Sequence, residues 1–423
     1  MISRISVWLL AAVSAEAFIL RPSTLVSNPP AKSTALSMAE GEKKRVVVVG
    51  NGMVGQRFME NLLKLDEDKK CQISTFCEEP RAAYNRVKLT SFFETLDPSS
   101  LSMTEEYDGE GRTVWYDENG VELLLKDKAV KVDTKAKTVI GASGKSIPYD
   151  ACIMATGSFP FVPPIPGNKR PGVFVYRTIE DLEAMLKYAK ENNVKSAAVI
   201  GGGLLGLEAA KAAKDMGLTS HVIEFAPILM CRQIDQGGHN ALVGKIEEMG
   251  LHVHCGARTE AFVGSDGSTD KDSTAPVKAL RFSNEDWDDL PVEMVIISAG
   301  IKPRDELARE AGLAIGERGG IVVDDQLRAS EDGVYAIGEI ALHNNFIYGL
   351  IAPGKKTTDI DLSYHTCPSH SHISNANDFE YLSLFSLCNQ DISTRMWPLS
   401  VWLLILESNP WRKETYPSSL EQI

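Results

Sequence analysis

RVVVVGNGMVGQRF, residues 45–58, sets four valines directly before three closely spaced glycines. The β-branched run reads as a parallel strand buried on both faces. Gly50-Asn51-Gly52-Met53-Val54-Gly55 then fits G-x-G-x-x-G between that strand and a helix expected over 53–65. The first glycine allows a tight turn, and the second lets bare backbone N–H groups approach a pyrophosphate. The third lets helix and strand come close, and the helix N-terminus favours the anion. A second strand is expected over 72–77, and Glu78 stands at its end, where a carboxylate accepts hydrogen bonds from a ribose. Together they predict a dinucleotide crevice contacted by Gly50, Gly52, Met53, Val54, Gly55 and Glu78.

The same beat returns as AAVIGGGLLGLEAAK, residues 197–211, with Gly201, Gly203 and Gly206 in the motif and Leu204 and Leu205 opening the helix. Glu224 closes the following strand, His221-Val222-Ile223-Glu224. Its carboxylate suits a ribose 2′-hydroxyl and repels a 2′-phosphate, and Phe225-Ala226-Pro227 brings no adjacent arginine. This favours NADH over NADPH, with Arg232 as the nearby residue that argues the other way. The fold class is therefore α/β, with two Rossmann-like three-layer dinucleotide-binding domains, the second inserted in the first. The expected boundaries are 43–160 and 291–354 for the outer domain and 161–290 for the insert. Residues 112–140 read as short antiparallel strands, and 263–277 as a polar hairpin tip.

The chain has 423 residues, 43% of them hydrophobic, and a formal net charge of −13 without a basic block. That balance argues against nucleic acid or an anionic membrane surface as a partner. Seven cysteines are scattered without C-x-x-C or metal-ligand spacing, so neither a catalytic thiol nor a metal site is expected. The helix after the first glycine loop, where some flavoenzymes carry a redox disulfide, contains no cysteine.

Three further stretches complete a pattern: Ala155-Thr156-Gly157, Ala299-Gly300-Ile301-Lys302-Pro303 and Val334-Tyr335-Ala336-Ile337-Gly338-Glu339. With the two glycine loops they resemble, in order, the signatures of the two-dinucleotide flavoproteins of the pyridine nucleotide-disulfide oxidoreductase-like superfamily. Residues 79–89, 224–235, 297–308 and 338–354 are similar, more narrowly, to the reductase module of NAD(P)H-dependent nitrite reductase large subunits. The resemblance implies FAD in the outer domain and NADH in the insert, with hydride passing from nicotinamide to flavin and no side-chain acid or base required. It implies that Arg81 and Arg86 lie near the flavin dinucleotide, that Gly338 and Glu339 meet its ribityl-phosphate region, and that Glu208 lies near the nicotinamide. Glu339 stands where Asp is commoner. Ser91 stands where related flavin reductases often carry a lysine. Bland readings remain beside these: surface arginines at a strand end, and a first-turn helix acid.

The onward electron acceptor implied is an iron–sulfur/sirohaem domain or, alternatively, a small ferredoxin- or rubredoxin-like protein. A non-catalytic truncated flavoprotein is a further alternative, and a homodimer stays open. Residues 1–42 read as a presequence: Arg4, the apolar run 5–13 and Ala15-Glu16-Ala17 resemble a signal peptide, and 18–38 lacks acids. The bipartite form implies a plastid, with mitochondrion and secretory pathway as alternatives. Residues 355–423 keep no sustained period and read as a disordered or mis-spliced tail without the clustered cysteines of later redox centres.

Overall fold

The computed structural model describes residues 43–349. The presequence and tail readings, and residues 350–354 of the last matched stretch, lie outside the described residues. The valine run forms strand β1 (Lys44–Val49), followed by helix α1 (Met53–Leu65) and strand β2 (Cys71–Cys77). Strands β3 (Val121–Leu125) and β4 (Ala151–Met154) join the same sheet. The chain then passes into a second unit made of β5 (Val173–Val175), α2 (Ile179–Glu191), β6 (Ser196–Ile200), α3 (Leu204–Asp215), β7 (Thr219–Glu224), β8 (His252–Cys255) and β9 (Met294–Ile297). It returns to the first sheet with β10 (Val334–Ala336).

Both sheets are five-stranded and parallel, in the orders β10-β4-β1-β2-β3 and β8-β7-β6-β9-β5. Alternation along the strands decides what covers each face. Ala197 and Val199 of β6 pack with Ala209, Ala210, Ala212 and Ala213 of α3. Ala198 and Ile200, their neighbours, pack with Phe262, Leu280 and Phe282 of an antiparallel layer, Thr259–Gly264 against Val277–Phe282. Helix, parallel sheet and antiparallel layer make three layers in this second unit. The expected polar hairpin tip is the connection between those two antiparallel strands.

Two expectations need correction. Residues 112–140 are not all antiparallel: Val114–Glu118 is a short helix, and β3 pairs in parallel with β2, burying Val121 and Leu123. Only Ala129–Asp133 and Thr138–Gly141 pair antiparallel. The boundary at 290 also moves. Strand β9 pairs with β6 and β5 and so belongs to the insert. Its four residues are all buried, which an apolar run achieves only with both faces covered. The crossings between the units are Ser158–Pro160 outward and Ile301–Pro303 on return, and they pair with each other.

A fully buried arginine, unmarked in the sequence, pins the polar hairpin. Arg170 donates to the carbonyls of Phe262 (3.2 Å), Ala275 (3.1 Å), Ser268 (2.9 Å) and Asp270 (2.8 Å). On the adjoining strands three imidazoles crowd together. His221 stacks on His252 at 4.8 Å and lies 3.2 Å, Nδ1 to Nε2, from His254. Burial, then His252 and His254, push His221 down to about 4. The folded chain thus keeps this ring neutral where the unfolded chain takes up a proton, so stability present at neutral pH is lost as pH falls from 6.5 towards 4. Urea midpoints followed across that range should fall in the natural chain, and the fall should be shallower in His221→Phe.

Candidate functional site: two glycine turns with their own carboxylates

Each glycine motif bends the same way. Gly50 has φ of +111° and Gly201 of +119°, a region open to glycine. A β-carbon on Gly50 would run into the Ala155 carbonyl oxygen, and one on Gly201 into that of Ser298. A β-carbon on Gly55 or Gly206 would strike the carbonyl of Gly50 or Gly201, so helix and strand end touch backbone to backbone. The middle glycines differ. Nothing lies within 4 Å of where a β-carbon would stand on Gly52 or Gly203. Both are helix N-caps in extended conformation with no side-chain cap, so the first-turn N–H groups of α1 and α3 are left for an outside acceptor. Met53, Val54, Leu204 and Leu205 form those first turns, and the two leucines are exposed. These open, uncapped cradles fit the pyrophosphates of two dinucleotides.

The two candidate carboxylates are held differently. Glu224 accepts from the N–H groups of Gly202 (2.5 Å) and Ala226 (2.7 Å), which fix it beside the second turn. Arg232 forms no ion pair with it, whereas Arg258 lies over the exposed Phe225 ring at 5.6 Å. Glu78 follows β2 and is paired with Arg304, with Lys128 at 3.3 Å. Burial raises its carboxyl, but these two cations outweigh that and hold it below the usual range.

The segments around the first turn close on it. Ala155 touches Gly50, and the Thr156 hydroxyl donates to the Arg304 carbonyl at 3.0 Å. Gly157 and Gly338 both have positive φ, and Gly338 rests against Val54 of α1. Glu339 accepts from Ser158 and from Arg177, each at 2.6 Å. Gly300, at φ +117°, starts the return crossing, and its carbonyl accepts from Phe161.

Arg81 and Arg86 are neither free nor at the surface. Arg81 is held by Glu180 (3.0 Å) and Glu183 (3.6 Å) of α2. Arg86 pairs with Glu79, lies over the Tyr84 ring at 4.6 Å and donates to the Arg177 carbonyl at 2.8 Å. Both therefore tie the outer unit to the insert. Glu208 lies beyond the first turn of α3, so the first-turn reading is corrected. It is half-buried near Tyr176, whose hydroxyl meets Thr90 at 3.0 Å, and burial pushes its carboxyl up to about 7. Sequence reading missed Arg177 and Arg304. The latter stood inside a matched stretch, one residue past Pro303, and its position there was the available signal.

The described cysteines form no disulfide, and burial raises the Cys77 thiol to about 12, which leaves it unreactive. No helix of the described residues is long and apolar enough to cross a membrane.

Two glycine-turn units, one inserted in the other and each with a carboxylate at the end of its second strand, define a two-dinucleotide reductase fold. Residues 44–363 match the family model "Pyridine nucleotide-disulphide oxidoreductase", and the chain belongs to that family. It is 42% identical over 322 residues to the nitrite reductase (NADH) large subunit of Escherichia coli, covering 76% of this chain and 36% of that protein. It is 36% identical over 315 residues to the assimilatory nitrate reductase electron transfer subunit of Bacillus subtilis, covering 74% and 38%. The chain thus spans little more than a third of these relatives. Among solved structures, the ferredoxin reductase of the CYP199A2 system from Rhodopseudomonas palustris superposes with a TM-score of 0.65 at 25% identity, covering 75% of this chain and 74% of that one.

The contrast among glycines is testable. Gly52→Val should leave the melting temperature near that of the natural chain while lowering flavin retained per mole. Gly55→Ala should lower the melting temperature, because its methyl has no space. Paired melting curves and flavin absorbance measure both.

Proposed function

We propose that this chain is the FAD-carrying, NADH-oxidising module of a nitrite-assimilating reductase. The observation that carries the reading is the pair of uncapped helix N-termini, each with an open glycine and its own carboxylate, in nested units. When bound, FAD accepts the hydride of the reduced nicotinamide and releases electrons singly. The residues present supply binding and orientation. The α1 and α3 N–H groups hold pyrophosphates, Glu78 and Glu224 accept from ribose hydroxyls, and Glu339 serves the ribityl-phosphate region. NADH is the preferred donor, because Glu224 is fixed by two backbone N–H groups and a 2′-phosphate would meet its charge.

Electrons leave, on this reading, to an iron–sulfur/sirohaem centre, as the similarity to nitrite reductase large subunits supports. A small redox protein is the second reading. It is favoured by the NADH:rubredoxin oxidoreductase of Clostridium acetobutylicum, whose solved structure has this fold over 78% of its own length (TM-score 0.60, 22% identity, 79% of this chain). Delivery to a plastid is proposed on the sequence of residues 1–42. A fluorescent fusion of that segment should collect there, and export from the cell would exclude it.

Anaerobic titration of the FAD-loaded protein with NADH should bleach the flavin band. NADPH should be weaker by about tenfold or more, and Glu224→Ser should narrow that ratio. An oxidised flavin spectrum in excess NADH would overturn the proposal.

A further inference from the structure

Glu78 meets a partner from the far side of the insert. Arg304 follows the return crossing, and its backbone is fixed on both sides: its N–H donates to the Gly157 carbonyl at 3.0 Å and its carbonyl accepts from the Thr156 hydroxyl at 3.0 Å. The guanidinium, so anchored, donates through Nη2 to Oε2 of Glu78. Lys128 approaches Oε1 at 3.3 Å. The next residue, Asp305, is no rival for Arg304. It is buried and engaged by Arg309 (2.9 and 3.1 Å) and by the Gly320 N–H (3.0 Å).

An ionised carboxylate offers about four lone-pair sites. One cation on each oxygen occupies two and leaves two for the two ribose hydroxyls. The pairing also opposes protonation of Glu78 at the half-exposed mouth of the crevice. Arg304 lies against Thr156 and Gly157, next to the Ala155 carbonyl that Gly50 touches, so glycine turn, ribose acid and arginine form one wall.

We propose that Arg304 is a positioning residue for the adenosine end of FAD: it holds the Glu78 carboxylate turned to the ribose, and so sets retention of FAD over FMN. This rests on the reading of the outer unit as an FAD site. It also makes cofactor retention depend on the return crossing, because the arginine arrives only after the insert has been completed and the chain has come back.

The test uses the full chain, stripped of flavin, titrated with FAD and separately with FMN by quenching of flavin fluorescence, with melting curves of each apoprotein. Arg304→Gln should weaken FAD binding about tenfold or more while leaving FMN binding unchanged, since FMN has no adenosine ribose. Arg304→Lys should recover most of the loss. Natural FAD affinity in Arg304→Gln would overturn the inference. An equal loss of FAD and FMN with a lowered melting temperature would overturn it too, since that marks a residue serving the fold. If the natural chain bound no FAD, the proposed function itself would fall, which no result on the variant alone can mimic.

Discussion

Gly55 against the carbonyl of Gly50, and Gly206 against that of Gly201, are contacts between bare backbones with no space for one more carbon. Because α1 and α3 can start so near the ends of β1 and β6, their first N–H groups open at the mouth of each crevice. The same approach leaves the outer side of Gly52 and Gly203 empty. A side chain at the contact would lift the helix off the strand, and one in the gap would fill the place of the anion. Both demands fall on one six-residue motif, so the motif was readable from sequence alone.

What joins the two units is chemistry of another sort. Arg177 stands in the insert, between β5 and α2, and reaches back to Ser158 and Glu339, while Arg86 donates to its carbonyl. Arg81 binds the acids of α2 from the outer unit. The contacts of Arg177 with Glu339 and of Arg81 with Glu180 and Glu183 are ion pairs with partly buried partners, whose strength comes from restricted solvent, and the others are charge-assisted hydrogen bonds. Residues proposed to meet the cofactor thus also hold the two units in register. Glu339 is an instance: one of its carboxylate oxygens accepts from both the Ser158 hydroxyl and the Arg177 guanidinium.

Local signals made most of this fold legible. The valine run, the glycine spacing and the acids after β2 and at the end of β7 mark both crevices, because each is set by residues near one another in the chain. Errors arose where pairing is non-local. β9 reads the same whether it joins the first or the second sheet, since an apolar four-residue run carries no label for its neighbour. β3 looked antiparallel because Glu118-Asn119-Gly120 before it and Gly141–Gly144 beyond it read as hairpin turns, whereas its partner, β2, lies more than forty residues back. Arg177 and Arg304 were missed for a related reason. Their partners lie far away in sequence, and only the closed chain brings guanidinium to carboxylate.

The outward and return crossings, Ser158–Pro160 and Ile301–Pro303, run side by side as a two-stranded ribbon. The insert therefore leaves and re-enters its host about 5 Å apart, one ladder spacing. Covalent continuity alone would leave such a module free to pivot on one narrow ribbon, so the ion pairs of Arg81 with Glu180 and Glu183 and of Arg177 with Glu339 are what fix its angle to the host.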